Sequence, residues 1–104
     1  MQKDCIFCKI HAREVPSQII AENEHVFVIK DRCPQAPIHY LIIPKKHICD
    51  ISSLTPQDSG IASSLLFMAQ HLALTDPQCR QFKLQNNNGP QAGQVVFHIH
   101  FHLN

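Results

Sequence analysis

The chain has 104 residues, 44% apolar and 16% charged, which is enough for one small globular domain and too little for two. Nine Lys and Arg against eight Asp and Glu leave a formal charge of +1, which excludes a protein held to nucleic acid or a membrane surface chiefly by charge. The sequence has no run of 18 apolar residues and no hydrophobic signal region after Met1, so a membrane span is not expected and the expected location is the cytoplasm.

In chain order, residues 5–14 predict a short helix, stopped by Val15-Pro16-Ser17. Residues 18–21 and 25–30 read as two strands joined by a turn at Glu22-Asn23-Glu24. Residues 31–37 form a loop with two prolines. The run His39-Tyr40-Leu41-Ile42-Ile43 predicts a central strand buried on both faces and ended by Pro44. Thr55 as N-cap, Pro56 at the first helical position and Asp58 in the first turn predict the start of the long helix. Ile61, Leu65, Met68 and Leu72 repeat at helical spacing, and Leu66 and Phe67 widen that apolar face, which suits a core or a dimer contact. Asp76-Pro77 follows its end. Residues 81–85 predict a strand, 86–94 a loop rich in Asn and Gly, and 95–103 a last strand. The order predicts an α+β fold with a mostly antiparallel five-stranded sheet, one long helix and a short N-terminal helix.

The last strand carries His98-Ile99-His100-Phe101-His102-Leu103. Period-two alternation puts the three imidazoles on one face, neighbours roughly 6–7 Å apart, and Ile99, Phe101 and Leu103 on the other. A wet strand face usually carries Thr, Lys, Glu or Ser, so three fixed imidazoles point to chemistry. Asn87 to Gln94, with Gly89 and Gly93, runs directly into them, and glycines let backbone N–H groups approach an anion. Such a loop alone is usually just a turn; its position beside the histidines is what singles it out. A neutral imidazole is a competent nucleophile near pH 7. If its Nδ1–H donates to a backbone carbonyl, Nε2 keeps the attacking lone pair. Attack on phosphorus gives a labile P–N bond that water cleaves, so one hard displacement becomes two easier ones. Five cysteines form no even disulfide set, and Cys5-x-x-Cys8 points to metal or redox chemistry; Cys33, Cys49 and Cys79 read as small apolar residues.

These residues resemble the histidine-triad (HIT) family of nucleotide hydrolases and transferases. The resemblance runs through Cys5-Ile6-Phe7-Cys8-Lys9-Ile10, Pro34-Gln35-Ala36-Pro37-Ile38-His39, Ile43-Pro44-Lys45-Lys46-His47, Ala92-Gly93-Gln94 and the triad, so the whole chain, 1–104, reads as one HIT domain. It looks most like the small Hint-like branch, which implies hydrolysis of purine nucleoside 5′-phosphoramidates. The resemblance implies that His100 is the nucleophile, that His102 contacts the α-phosphate and handles the leaving-group proton, and that His39 supports the site. It implies that Asp31 accepts from the ribose hydroxyls, and that Asn87, Gly93 and Gln94 bind phosphate oxygens or shape their loop. Ile10, Phe27 and Ile29 are candidate walls for the base, or core residues. The family also implies a homodimer through the helix over residues 56–74. It further implies a structural Zn²⁺ on Cys5, Cys8, His47 and His98; two thiolates and two imidazoles balance the ion's charge and suit its tetrahedral preference.

Two departures from the family pattern stand out. Relatives continue past the triad with Gly-Gly-Arg or Pro-Arg and a tail, so a tail that is short or truncated is expected to alter leaving-group preference. Val95 stands where some relatives have a serine that can bond phosphate or protonate a leaving amine, and valine can do neither. Three other functions compete: dinucleoside polyphosphate hydrolysis by the same nucleophile, a nucleotide-binding or interaction module with little turnover, and a catalytic metal on all three triad histidines.

Overall fold

The computed structural model describes residues 4–34 and 36–104. Gln35, part of the Pro-Gln-Ala-Pro stretch, lies outside the described residues. The first helix, α1 (Ile6–His11), is capped by Cys5 and is shorter than expected. Arg13 takes a positive φ of 63°, which turns the chain out of the helix before Glu14. Strands β1 (Ile19–Glu22) and β2 (Val26–Lys30) form a hairpin in which Asn23 Oδ1 accepts the N–H groups of His25 and Val26. Strand β3 (Tyr40–Pro44) is buried along its whole length.

The long helix α2 covers Ser59–Thr75 rather than beginning at Pro56. A 3₁₀ turn, Pro56–Asp58, leads into it. The Asp58 carboxylate explains that lead-in, because it accepts from the Thr55 N–H and hydroxyl and from Lys46 Nζ at 2.8 Å. These partners, Lys46 first, hold its carboxyl below the usual range. They also tie the start of α2 to the loop that carries His47.

Strands β4 (Leu84–Gln85) and β5 (Phe101–Leu103) complete an antiparallel sheet in the order β1-β2-β3-β5-β4. Both are shorter than the sequence predicts. The β3–β5 register pairs Ile42 with Phe101, so continuing it would set Pro44 opposite Ile99. Proline has no N–H to donate, and Ile99 N–H instead goes to Ile48 O at 2.6 Å. The ladder therefore stops at Phe101, and His98, in a bend, and His100 lie outside it.

Alternation sorts the sheet into two faces. Val26, Val28, Tyr40, Ile42 and Leu103 pack against Leu65, Met68, Ala69 and Leu72 of α2. Phe27, Ile29, Leu41 and Ile43 pack against Phe7, Cys8 and Ile10 of α1. The outer side of α2 is mixed, exposing Leu66, Phe67 and Leu74 beside Ser63, Gln70 and His71. No helix among the described residues is long and apolar enough to cross a membrane.

Candidate active site and metal centre

The three triad histidines share the α1 face of the sheet. Ile99, beside α2, and Leu103 fill the opposite core. The rings of His100 and His102 are 5.2 Å apart, closer than the backbone repeat alone predicts. Phe7 of α1 sets its edge against both His98 and His100, with ring centroids 5.7 and 5.1 Å apart. Phe7 is a site residue that sequence reasoning missed; its only signal is its place inside Cys-x-x-Cys.

His100 Nδ1 lies 2.8 Å from the carbonyl of His98. A carbonyl can only accept, so Nδ1 carries the proton and Nε2 keeps its lone pair. Burial pushes the His100 pKa down, which favours this neutral form; the His98 carbonyl and the Asp31 charge oppose the shift. Burial also lowers His102, reinforced by His100 and His39 nearby. His102 Nδ1 meets His39 Nε2 at 2.8 Å, and that same His39 nitrogen is 3.3 Å from Asp31 Oδ2. Asn86, which the sequence offered only as one of three consecutive asparagines, donates from Nδ2 to His100 O at 2.8 Å and fixes the backbone of the middle histidine.

A cleft of about 230 Å³ opens in front of these groups. Lys30, Asp31, Arg32, His100 and His102 supply its polar part, and Phe7, Ile10, Ile29 and Leu41 are among its apolar walls. Val95 stands at its edge. Of the three candidate base walls, Ile10 and Ile29 line the cleft, whereas Phe27 is fully buried and stacks on His11.

In the loop, Gly89 and Gly93 take φ values of +93° and +96°, where only glycine is unstrained. Asn87 Nδ2 donates to Ala92 O at 2.7 Å, and Asn87 lines a second cleft with His39 and His102. The buried Gln94 side chain is spent on the loop itself. Its Oε1 accepts from Gly89 N–H, and its Nε2 donates to the carbonyls of Cys49 and Val96.

The donor atoms of Cys5, Cys8, His47 and His98 all lie within 4.8 Å of one another. His98 Nδ1 is 3.3 Å from Cys5 Sγ, 3.6 Å from Cys8 Sγ and 3.1 Å from His47 Nδ1, and Cys8 Sγ is 3.4 Å from His47 Nδ1. Tetrahedral zinc with ordinary bond lengths separates such ligands by roughly 3.3–3.8 Å, so the donor set fits the ion. His98 Nε2 donates to Pro44 O at 2.7 Å, which turns Nδ1 toward the sulfurs. Burial holds His98 neutral, its pKa pushed down to about 4, and pushes the Cys5 thiol up in the absence of metal.

Comparison with known proteins agrees with this geometry. The HIT domain family model matches residues 12–103. An uncharacterised HIT-like protein of Synechocystis is 43% identical over 103 residues, covering 99% of this chain and 90% of the relative. Protein HitA of Neisseria gonorrhoeae is 35% identical over 100 residues, covering 96% and 94%. Among solved structures, a HIT family hydrolase from Clostridium thermocellum superposes with a TM-score of 0.92 at 40% identity, covering 99% of this chain and 90% of that one. A HIT family hydrolase from Legionella pneumophila gives 0.90 at 39%, covering 96% and 90%. The α+β sheet with its alternate histidines is thus a HIT-class fold, and this chain belongs to the HIT family.

Proposed function

We propose that the protein hydrolyses purine nucleoside 5′-phosphoramidates through a nucleotidyl-histidine intermediate on His100. The observation that carries this reading is the 2.8 Å contact from His100 Nδ1 to the His98 carbonyl, which leaves Nε2 unprotonated beside a cleft with a carboxylate and apolar walls. The base would lie between Ile10 and Ile29, and the ribose hydroxyls would donate to Asp31. Nε2 attacks the α-phosphorus as the P–N bond to the amine breaks. The Nδ1–H bond to the His98 carbonyl supports the positive charge that the ring then carries. His102 gives the departing amine its proton, taking its orientation from His39 and Asp31. Water next attacks phosphorus, the bond to Nε2 breaks, and a nucleoside monophosphate leaves while His102 regains a proton.

Asn87 and Gly93 would flank the phosphate, with Gln94 holding their loop in shape. Cys5, Cys8, His47 and His98 would hold a structural Zn²⁺, which when bound pins the α1 segment to the chain just before His100. Free thiols and thiolate ligands suit a reducing compartment such as the cytoplasm. The exposed Leu66, Phe67 and Leu74 of α2 support a homodimer built through that helix.

The test is intact-mass spectrometry after rapid acid-free quench with adenosine phosphoramidate, on wild type and His100→Ala. One AMP adduct per chain in wild type alone, with AMP released, is expected. Release of AMP by His100→Ala would reject His100 as nucleophile. A preference for dinucleoside polyphosphates in the same assay would reassign the leaving group.

A further inference from the structure

The three consecutive asparagines that open the loop before the triad have three different partners. Asn86 Nδ2 donates to the His100 carbonyl and Asn87 Nδ2 to the Ala92 carbonyl. Asn88 reaches out of the loop altogether. Its Oδ1 accepts the Ile51 N–H at 2.7 Å, and its Nδ2 donates to Ser52 Oγ at 3.1 Å. Both ends of one amide are thus engaged by neighbouring residues of one turn, so the contact fixes direction as well as distance. That 3₁₀ turn, Ile51–Ser53, is itself held, because Asp50 Oδ1 accepts the Ser53 N–H at 3.0 Å and the Ser53 hydroxyl at 2.8 Å.

Several of the loop's other hydrogen bonds close on the loop. The N–H groups of Ala92 and Gln94 donate to Gly89 O, Gly93 N–H donates to Pro90 O, and Gly89 N–H donates to Gln94 Oε1. These bonds make residues 89–94 a compact unit without setting where it stands relative to His100. Residues 48–52 form a strut that does so. At one end the carbonyl of the buried Ile48 accepts the Ile99 N–H at 2.6 Å, between His98 and His100. In the middle Cys49 O accepts from Gln94 Nε2 at 2.8 Å. At the far end Ile51 and Ser52 hold Asn88, the neighbour of Asn87. Asn88 lines neither the cleft that contains His100 nor the one that contains Asn87, so it acts through its neighbours.

We propose that Asn88 is a positioning residue for phosphate: by gripping the strut it sets Asn87 and the turn after it at the distance from His100 at which they meet a bound phosphate. This rests on the nucleotide reading of the site. The effect is selective. A displaced loop weakens the hold on the phosphate and leaves the proposed base and ribose contacts of Ile10, Ile29 and Asp31 as they were.

The experiment measures dissociation constants for AMP and adenosine, by calorimetry or amide chemical-shift titration, on wild type, Asn88→Ala, Ser52→Ala and the double variant. Asn88→Ala is expected to weaken AMP about five- to tenfold, the size of one or two lost hydrogen bonds, and to change adenosine less than about twofold. Ser52→Ala removes one arm of the clamp and should weaken AMP less. The double variant should match Asn88→Ala, because both substitutions remove the same contact. A merely structural role would lower Tm and shift both ligands together, and that result overturns the proposal. So do additive losses in the double variant. A wild type that binds AMP no tighter than adenosine would remove the phosphate role of the loop and this proposal with it. A wild-type preference for AMP that Asn88→Ala retains in full would remove this proposal alone.

Discussion

The His100 ring donates its Nδ1–H to the carbonyl of His98 two residues earlier, across 2.8 Å. The strand's own backbone thereby selects the tautomer of its middle histidine. Burial lowers the pKa of His100, so the sign for the nucleophile follows directly. A nucleophile that must be unprotonated keeps working as pH falls through the ordinary imidazole value of about 6.5 and fails only lower. The rate of AMP release from adenosine phosphoramidate is expected to show its acid limb below that value. A midpoint at or above it would contradict a neutral, buried nucleophile.

Cys8 touches His47 and His98 through Sγ, so Cys8→Ser removes one donor from a buried set of four. The hydrophobic core remains, so partial destabilisation is expected, of about 2–4 kcal/mol. That corresponds to a drop in Tm of roughly 10–20 °C for a domain this size. A chelator should lower the wild-type Tm by a similar amount and leave the variant unchanged. Insensitivity of the wild type to chelation, by scanning calorimetry, would show that no structural ion is present.

Gly93 has space for a methyl group, since an added Cβ would lie 3.5 Å from Asn87 Nδ2. Its φ of +96° is the obstacle. Gly93→Ala should therefore cost about 1–2 kcal/mol through backbone strain and slow turnover by shifting the neighbouring Ala92 carbonyl that Asn87 holds. Thermal melts paired with kcat measurements check both effects; an unchanged Tm would mean that the loop relaxes freely.

The α2 helix buries Ile61, Leu65, Met68, Ala69 and Leu72 within the chain and leaves other large apolar residues on its outer side. Leu66 and Phe67 are each nearly two thirds exposed. If they meet a second copy, Phe67→Asp places a charge in an apolar interface and should yield monomers at micromolar concentration. Light scattering after size exclusion reads this out, and a wild-type monomer would remove the helix-mediated dimer.

Val95 is exposed at the edge of the cleft lined by His100 and His102. A hydroxyl there could protonate a departing amine. Val95→Ser is expected to speed turnover of poor leaving groups by about tenfold, less than the roughly 10²-fold or more of a fully positioned general acid. Equal rates across a series of amines of differing basicity would assign Val95 no part in leaving-group departure.

Several elements were legible because each obeys a short-range rule. The apolar run at 39–43 gave the buried β3, the helical repeat of Ile61, Leu65, Met68 and Leu72 gave α2, and period-two alternation put the three histidines on one face. The misjudged ends share a cause. The predicted strand 95–103 shrank to Phe101–Leu103 because a strand needs a partner, and Pro44 faces the position where pairing would continue. Likewise, α2 begins late because Asp58 is drawn to Lys46, twelve residues away.

The sequence by itself determined the fold class, the family and the types of residue available for chemistry, since these follow from local periodicity and from motifs in fixed order. Only the tertiary structure decided which groups meet. It spent the Gln94 amide on its own loop, set Phe7 against two triad rings and tied His100 to Asn86. It also linked Asp31, His39 and His102 in one chain of close polar contacts. Most of those contacts join positions far apart in the chain, and their distances arise from how the sheet and helices pack rather than from any spacing along it.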